Sequence, residues 1–127
     1  MPDHSSDALR RIELALSAIR VPAVPGEYDI HALISEALAE DGIEFRHEAP
    51  LAPRCRIEFL AEGVGIEVKK GRPVRATVLK QVARYLACEQ VDALILVSEK
   101  EIRLPAMVGG KPVKTLSLSR FWGVALP

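Results

Sequence analysis

Two glutamates and a lysine carry the first chemical signal of this chain. Glu67 and Lys69 lie two positions apart in GVGIEVKKG, Gly63 to Gly71. In an extended strand that spacing turns both side chains to one face, opposite Val64, Ile66 and Val68. Glu58 lies nine positions before Glu67, in CRIEFL, where Ile57 and Phe59 are expected to share one face and Glu58 to point to the other. A turn at Ala61 to Gly63 would set the two strands side by side and gather Glu58, Glu67 and Lys69. Paired carboxylates supply oxygen ligands for a hard divalent cation such as magnesium or manganese, leaving positions for water and a phosphate. Such a cation polarises phosphorus and acidifies bound water, while a neighbouring ammonium orients that water or neutralises growing charge. The plain structural reading of the same residues is a solvated cross-strand ion pair, worth little.

The elements that must position them follow from periodicity. Ser5 or Ser6 caps a first helix, SSDALRRIELALSAIR, with Leu9, Ile12, Leu16 and Ile19 at helical spacing. The prolines of VPAVPG break the chain. A second helix runs through EYDIHALISEALAEDG, where Ile30, Leu33, Ile34, Ala37 and Leu38 form one stripe and Gly42 ends it. On the helical wheel Glu27 falls roughly 60° from the centre of that stripe, Glu40 roughly 80° and Glu36 roughly 120°. Glu27 is therefore best placed to reach the carboxylates, and His31 follows it by one turn.

IEFRHEA, RCRIEFLAE and GVGIEVKKG read as three strands with short connections, an antiparallel meander. Pro73 opens a third helix, PVRATVLKQVARYLACEQ, packing through Val74, Val78, Val82, Tyr85 and Leu86, with Gln81 within reach of the glutamates. VDALILVSE is a nearly continuous apolar run, the mark of an inner strand covered on both faces. Gly109-Gly110 reads as a turn, Val113 to Leu118 as a last strand, and Trp122 as a residue packing the tail. A helix between two strands of one sheet implies a right-handed crossover. The expected fold is α/β, a mixed sheet flanked by helices in the order α-α-β-β-β-α-β-β.

The 127 residues suit one domain, with 1–22 an appended helix, 27–98 the core and 99–127 a final strand and tail. Hydrophobic residues make up 49%, enough for a core. Lys plus Arg and Asp plus Glu each number 17, so a polyanionic partner must be held by a local patch. Lys70, Arg72, Arg75, Lys80 and Arg84 are the candidates for such a patch. Cys55 and Cys88 lack metal-ligand spacing and read as reduced thiols. The N-terminus lacks signal-peptide character and no stretch is long and apolar enough to span a membrane, so the expectation is a cytoplasmic protein.

The ordered set resembles the PD-(D/E)XK nuclease superfamily, over about residues 27 to 98. The matching residues are Glu27 in GEYDIHALI, Glu58 in CRIEFL, Glu67-Val68-Lys69 in GIEVKKG, and Gln81 in LKQVARYL. The resemblance implies a restriction-endonuclease-like fold and magnesium-dependent hydrolysis of phosphodiesters, usually in DNA. It implies Glu58 and Glu67 as metal ligands, Lys69 as the water-activating or charge-stabilising group, Glu27 as auxiliary ligand or base, and Gln81 as a positioning residue. By the same reading Lys70, Arg72, Lys80 and Arg84 hold nucleic acid. Where the superfamily has a proline and an aspartate, this chain has Ile57 and Glu58. The alternatives are an inactive nuclease-fold module that binds nucleic acid or a protein, and a homodimer built on the first helix.

Overall fold

The apolar stripes of the helices and the alternation of the strands meet on the two sides of one sheet. The computed structural model describes residues 4–20 and 29–118. Its elements, in order, are α1 (His4–Ser17), α2 (Ile30–Glu40), β1 (Arg46–Ala52), β2 (Cys55–Ala61), β3 (Val64–Lys69), α3 (Arg75–Leu86), β4 (Ala93–Ser98), β5 (Met107–Val108) and β6 (Lys111–Ser117). Glu27 and Trp122 lie outside the described residues.

The strands stand in the order β1-β2-β3-β4-β6-β5. β1, β2 and β3 pair antiparallel, as their short connections require. β3 and β4 pair parallel, because the intervening α3 returns the chain to the same end of the sheet. β4 and β6 are also parallel, and the short hairpin β5–β6 turns at Gly109 and Gly110, both at positive φ. The fold is thus a mixed α/β sheet with helices on both faces.

One face buries α1 and α2 through Ile12, Leu16, Ile30, Ile34 and Leu38 against Phe59, Ile66, Ile95 and Val97. The other buries α3 through Val78, Val82, Tyr85 and Leu86 against Ile57, Leu94 and Leu96. Each such aliphatic side chain contributes about 1.5–3 kcal/mol when fully buried. Every residue of β4 is buried, as its apolar run requires. Asp29 caps α2, its carboxylate accepting from the backbone N–H of His31 and Ala32. Helix α3 begins at Arg75 rather than at Pro73, with Val74 as an extended N-cap. Val74 is accordingly exposed and does not belong to the packing face. Leu14, off the stripe of α1, is also exposed.

The expectation that Ile57 and Phe59 share a face is overturned. Ile57 packs under α3, whereas Phe59 packs under α1 and α2. The partner strand switches with it. Phe45 lies against the α1–α2 core, His47 stacks on Phe59, and Ala49 and Leu51 lie against the α3 core. Register is kept across the switch, His47 opposite Phe59 and Ala49 opposite Ile57, so the change of face falls on Glu48 and Glu58. Glu48 makes it by adopting a left-handed backbone, φ 55°. The period-two rule assumes an unbroken pleat, and here the hairpin rolls over by one residue.

A left-handed backbone costs an L-residue about 1–2 kcal/mol, and a β-branched side chain tolerates it worst. Glu48→Ile should therefore lower unfolding free energy in urea by about 1–2 kcal/mol, while Glu48→Gly should lower it not at all. An isoleucine variant as stable as the parent would show that the roll-over does not depend on this conformation.

Candidate active site

The β2–β3 ladder pairs Ala61 with Val64, Leu60 with Gly65 and Phe59 with Ile66, and goes no further. Beyond it β3 stays with β4 as far as Lys69 opposite Ser98, and β2 stays with β1 as far as Cys55 opposite Ala52. The sheet therefore forks. Amides inside the fork have no strand partner, and a buried unpaired donor costs about 1–3 kcal/mol. Two carboxylates take the place of the missing ladder. Val68 N donates to Glu58 Oε1 over 2.6 Å, and Glu58 N donates to Glu67 Oε1 over 3.3 Å. Each glutamate closes a hydrogen bond for the other's strand.

The second oxygen of each carboxylate reaches a helix. Glu58 Oε2 meets His31 Nε2 from α2. Glu67 Oε2 accepts from the Tyr85 hydroxyl of α3 over 3.1 Å, with Lys69 Nζ at 3.7 Å. The outer oxygens thus address opposite helical layers, while the inner oxygens meet at the same break in the ladder. Gln81, one turn before Tyr85, donates from Nε2 to the Tyr85 hydroxyl over 3.0 Å. Tyr85 is also 3.2 Å from the Arg56 carbonyl.

Tyr85 has one proton and two acceptors, Arg56 O and Glu67 Oε2. With Glu67 protonated, every group is satisfied. Glu67 donates to the tyrosine oxygen, Gln81 donates to it as well, and Tyr85 donates to Arg56 O. Electrostatics point the same way. Glu67 is 6% exposed, and its carboxyl is pushed up to about 7 from 4.5, first by burial and then by the negative charge of Glu58. The Glu58 amide, Lys69 and Tyr85 oppose that rise without cancelling it. Burial and the adjoining Glu67 also push the Tyr85 phenol above its usual range.

Of the residues singled out in the sequence, Glu58, Glu67 and Lys69 gather at the fork, and Gln81 joins through Tyr85. His31 reaches the fork from α2. Tyr85 read as core from its spacing, and burial hid its polar tip. Three of the basic residues line two different cavities. Arg84 lines a cavity with Arg54 and Arg56, and Arg72 lines another with Arg75 and Lys100. Lys70 and Lys80 are exposed. Cys55 is buried on the α3 side and His47 lies on the opposite one. Both described cysteines are free.

The donor set at the fork suits a hard cation, since carboxylate oxygens are the ligands such ions prefer and magnesium keeps several waters of its own. Among the described residues no three His, Cys, Asp or Glu side chains converge as a metal-holding group. Among them, too, no helix is long and apolar enough to cross a membrane. No family model, curated protein or solved structure matches the chain.

The Glu67 proton gives a signed pH dependence. Its folded value lies above its unfolded one, so the favourable contribution is fully present below about 4.5 and is lost as pH rises through about 7. Raising pH from 5.5 to 8 should cost the parent about 1–3 kcal/mol that Glu67→Gln does not lose, since the amide is neutral throughout. Urea titrations of both proteins at the two pH values read this difference. Parallel losses would place the titration on another group.

Proposed function

We propose that the chain is a restriction-endonuclease-like, metal-dependent nuclease acting on phosphodiester bonds of nucleic acid, DNA by the resemblance. One observation carries this reading. Two carboxylates replace the β2–β3 ladder at a fork in the sheet, with an ammonium 3.7 Å from one of them. The element order α2-β1-β2-β3-α3-β4 supports it, since it is the order that the resemblance requires.

Glu58 and Glu67 would hold the cation. When bound, it supplies Lewis acidity toward the phosphorus centre and a bound water acidic enough to attack near neutral pH. The chain's own groups prepare the site. His31 Nε2–H fixes the outer oxygen of Glu58, and the Val68 amide fixes the inner one. When Glu67 ionises, Tyr85 turns its single proton from Arg56 O to Glu67 Oε2, so the new charge is met by a donor already in place. Gln81 holds Tyr85 through that change. Lys69 stands where it can neutralise charge growing on a phosphate or orient the attacking water.

A second reading, an inactive module on the same fold, is favoured by the engagement of both Glu58 oxygens, one by Val68 N and one by His31. The two readings separate in one experiment. Supercoiled plasmid and single-stranded DNA are incubated with the protein and millimolar magnesium or manganese. Under the nuclease reading the parent nicks or degrades one of them, and Lys69→Ala or Glu67→Ala slows this by a factor of about 100 or more. Manganese should also raise the melting temperature more at pH 8 than at pH 5.5, because metal and proton compete for Glu67. Calorimetry that finds no metal binding at millimolar concentration, with no cleavage, assigns the inactive module.

A further inference from the structure

On the α3 side, next to the fork, lies a cavity of about 460 Å³. Arg54 and Arg56 enter it from the β1–β2 hairpin, and Arg84 enters it from α3. None of the ion pairs among the described residues involves any of the three. Three guanidinium cations gathered at one cavity repel one another, a cost that a bound anion removes. One member of the cluster, Arg84, is fixed in place. Arg84 Nη2 donates to the Arg54 carbonyl over 3.0 Å, tying the helix to the hairpin, and Arg54 itself sits at φ 60° in the turn. In a chain of 17 acidic and 17 basic residues, a concave site with three cations and no acid in its wall is a local excess of charge.

The cavity also leads to the fork. Its wall includes Gln81 and Tyr85, and the Tyr85 hydroxyl touches both Arg56 O and Glu67 Oε2. Its volume is that of a site for one small-molecule-sized group, such as a short sugar–phosphate segment, rather than for a whole duplex. We infer that the Arg54–Arg56–Arg84 cavity holds the sugar–phosphate backbone of a single-stranded nucleic acid and leads it past Tyr85 to the carboxylates. Guanidiniums engage phosphate oxygens two at a time, which suits closely spaced phosphates on a flexible strand.

The inference rests on the nucleic-acid reading of the fork, and its test is made without metal so that the two can fail separately. A fluorescein-labelled single-stranded oligonucleotide is titrated in EDTA, across a salt series, with the parent and the Arg54→Gly/Arg56→Ala variant. Glycine suits the left-handed turn at position 54, and an unchanged melting curve verifies the fold. The variant should bind at least about tenfold more weakly at low salt. Its log–log salt slope should shrink by about 1.4, or 0.7 for each lost phosphate contact. Arg54→Lys/Arg56→Lys should keep most of the slope while losing affinity, since lysine retains charge without the two-pronged contact. These results would stand even if plasmid cleavage were never seen. A variant that binds like the parent, a parent that fails to bind the strand, or tighter binding of the matching duplex would each overturn the inference.

Discussion

The structure depends on a sheet that opens without leaving its amides bare. Between Phe59 and Cys55 the second strand departs from the third, and a departure of this kind normally leaves backbone donors unsatisfied or in need of water. Here two side chains cross the gap in opposite directions, Glu58 to Val68 N and Glu67 to Glu58 N. Reach explains the residue type. A glutamate carries one methylene more than an aspartate, and position 58 must span the widened gap to the far strand. The glutamate at position 58 thus has a structural role of its own. It ties the carboxylate that would hold a cation to the bond that holds the fork.

Burial brings the titration of this arrangement toward neutral pH. A surface pair of glutamates would ionise near 4.5 and be screened. Sealed between β3 and α3, Glu67 keeps its proton to about 7, and the Tyr85 hydroxyl is arranged to serve either protonation state. Lys69 at 3.7 Å offsets only part of the negative charge. Once Glu67 ionises, the two carboxylates of the fork carry more negative charge than Lys69 balances, and the arginine cavity beyond Tyr85 has the opposite excess. The two lie on either side of one tyrosine, on a helix whose Gln81, Arg84 and Tyr85 fall within a single turn and a fraction.

Much of the scaffold was legible because its signals are local. The stripe of α2, the apolar run of β4, the crossover through α3 and the turn at Gly109-Gly110 each follow from spacing within a few residues. The pairing of Glu67 with Lys69 followed from strand parity alone. The exchange of faces between Ile57 and Phe59 was not legible, because it arises from a left-handed residue, Glu48, on the neighbouring strand. Glu48 carries none of the glycine or asparagine character that announces such a backbone. Tyr85 was read as packing because helical spacing reports burial, not what the buried hydroxyl meets. Arg54 and Arg56 were passed over for a related reason. Their partner Arg84 is some thirty residues away, and charge clusters built from a hairpin and a helix leave no run in the sequence.

Gly65 shows how narrowly the two layers are joined. A Cβ there would stand 2.4 Å from the Ile57 terminal methyl and 3.4 Å from a methyl of Val91. The strand that carries Glu67 must thus pass directly over the residue that precedes Glu58. Ile57 can sit under α3 only because position 65 lacks a side chain, and Phe59 can sit on the other side only because the hairpin rolls over between them. Close packing at one residue and a turned backbone at another thereby fix where the ladder ends, one pair after Gly65. The carboxylates follow from that geometry. Once the ladder ends at Phe59 and Ile66, the next donors in line are Glu58 N and Val68 N, and the side chains within reach of them are Glu67 and Glu58.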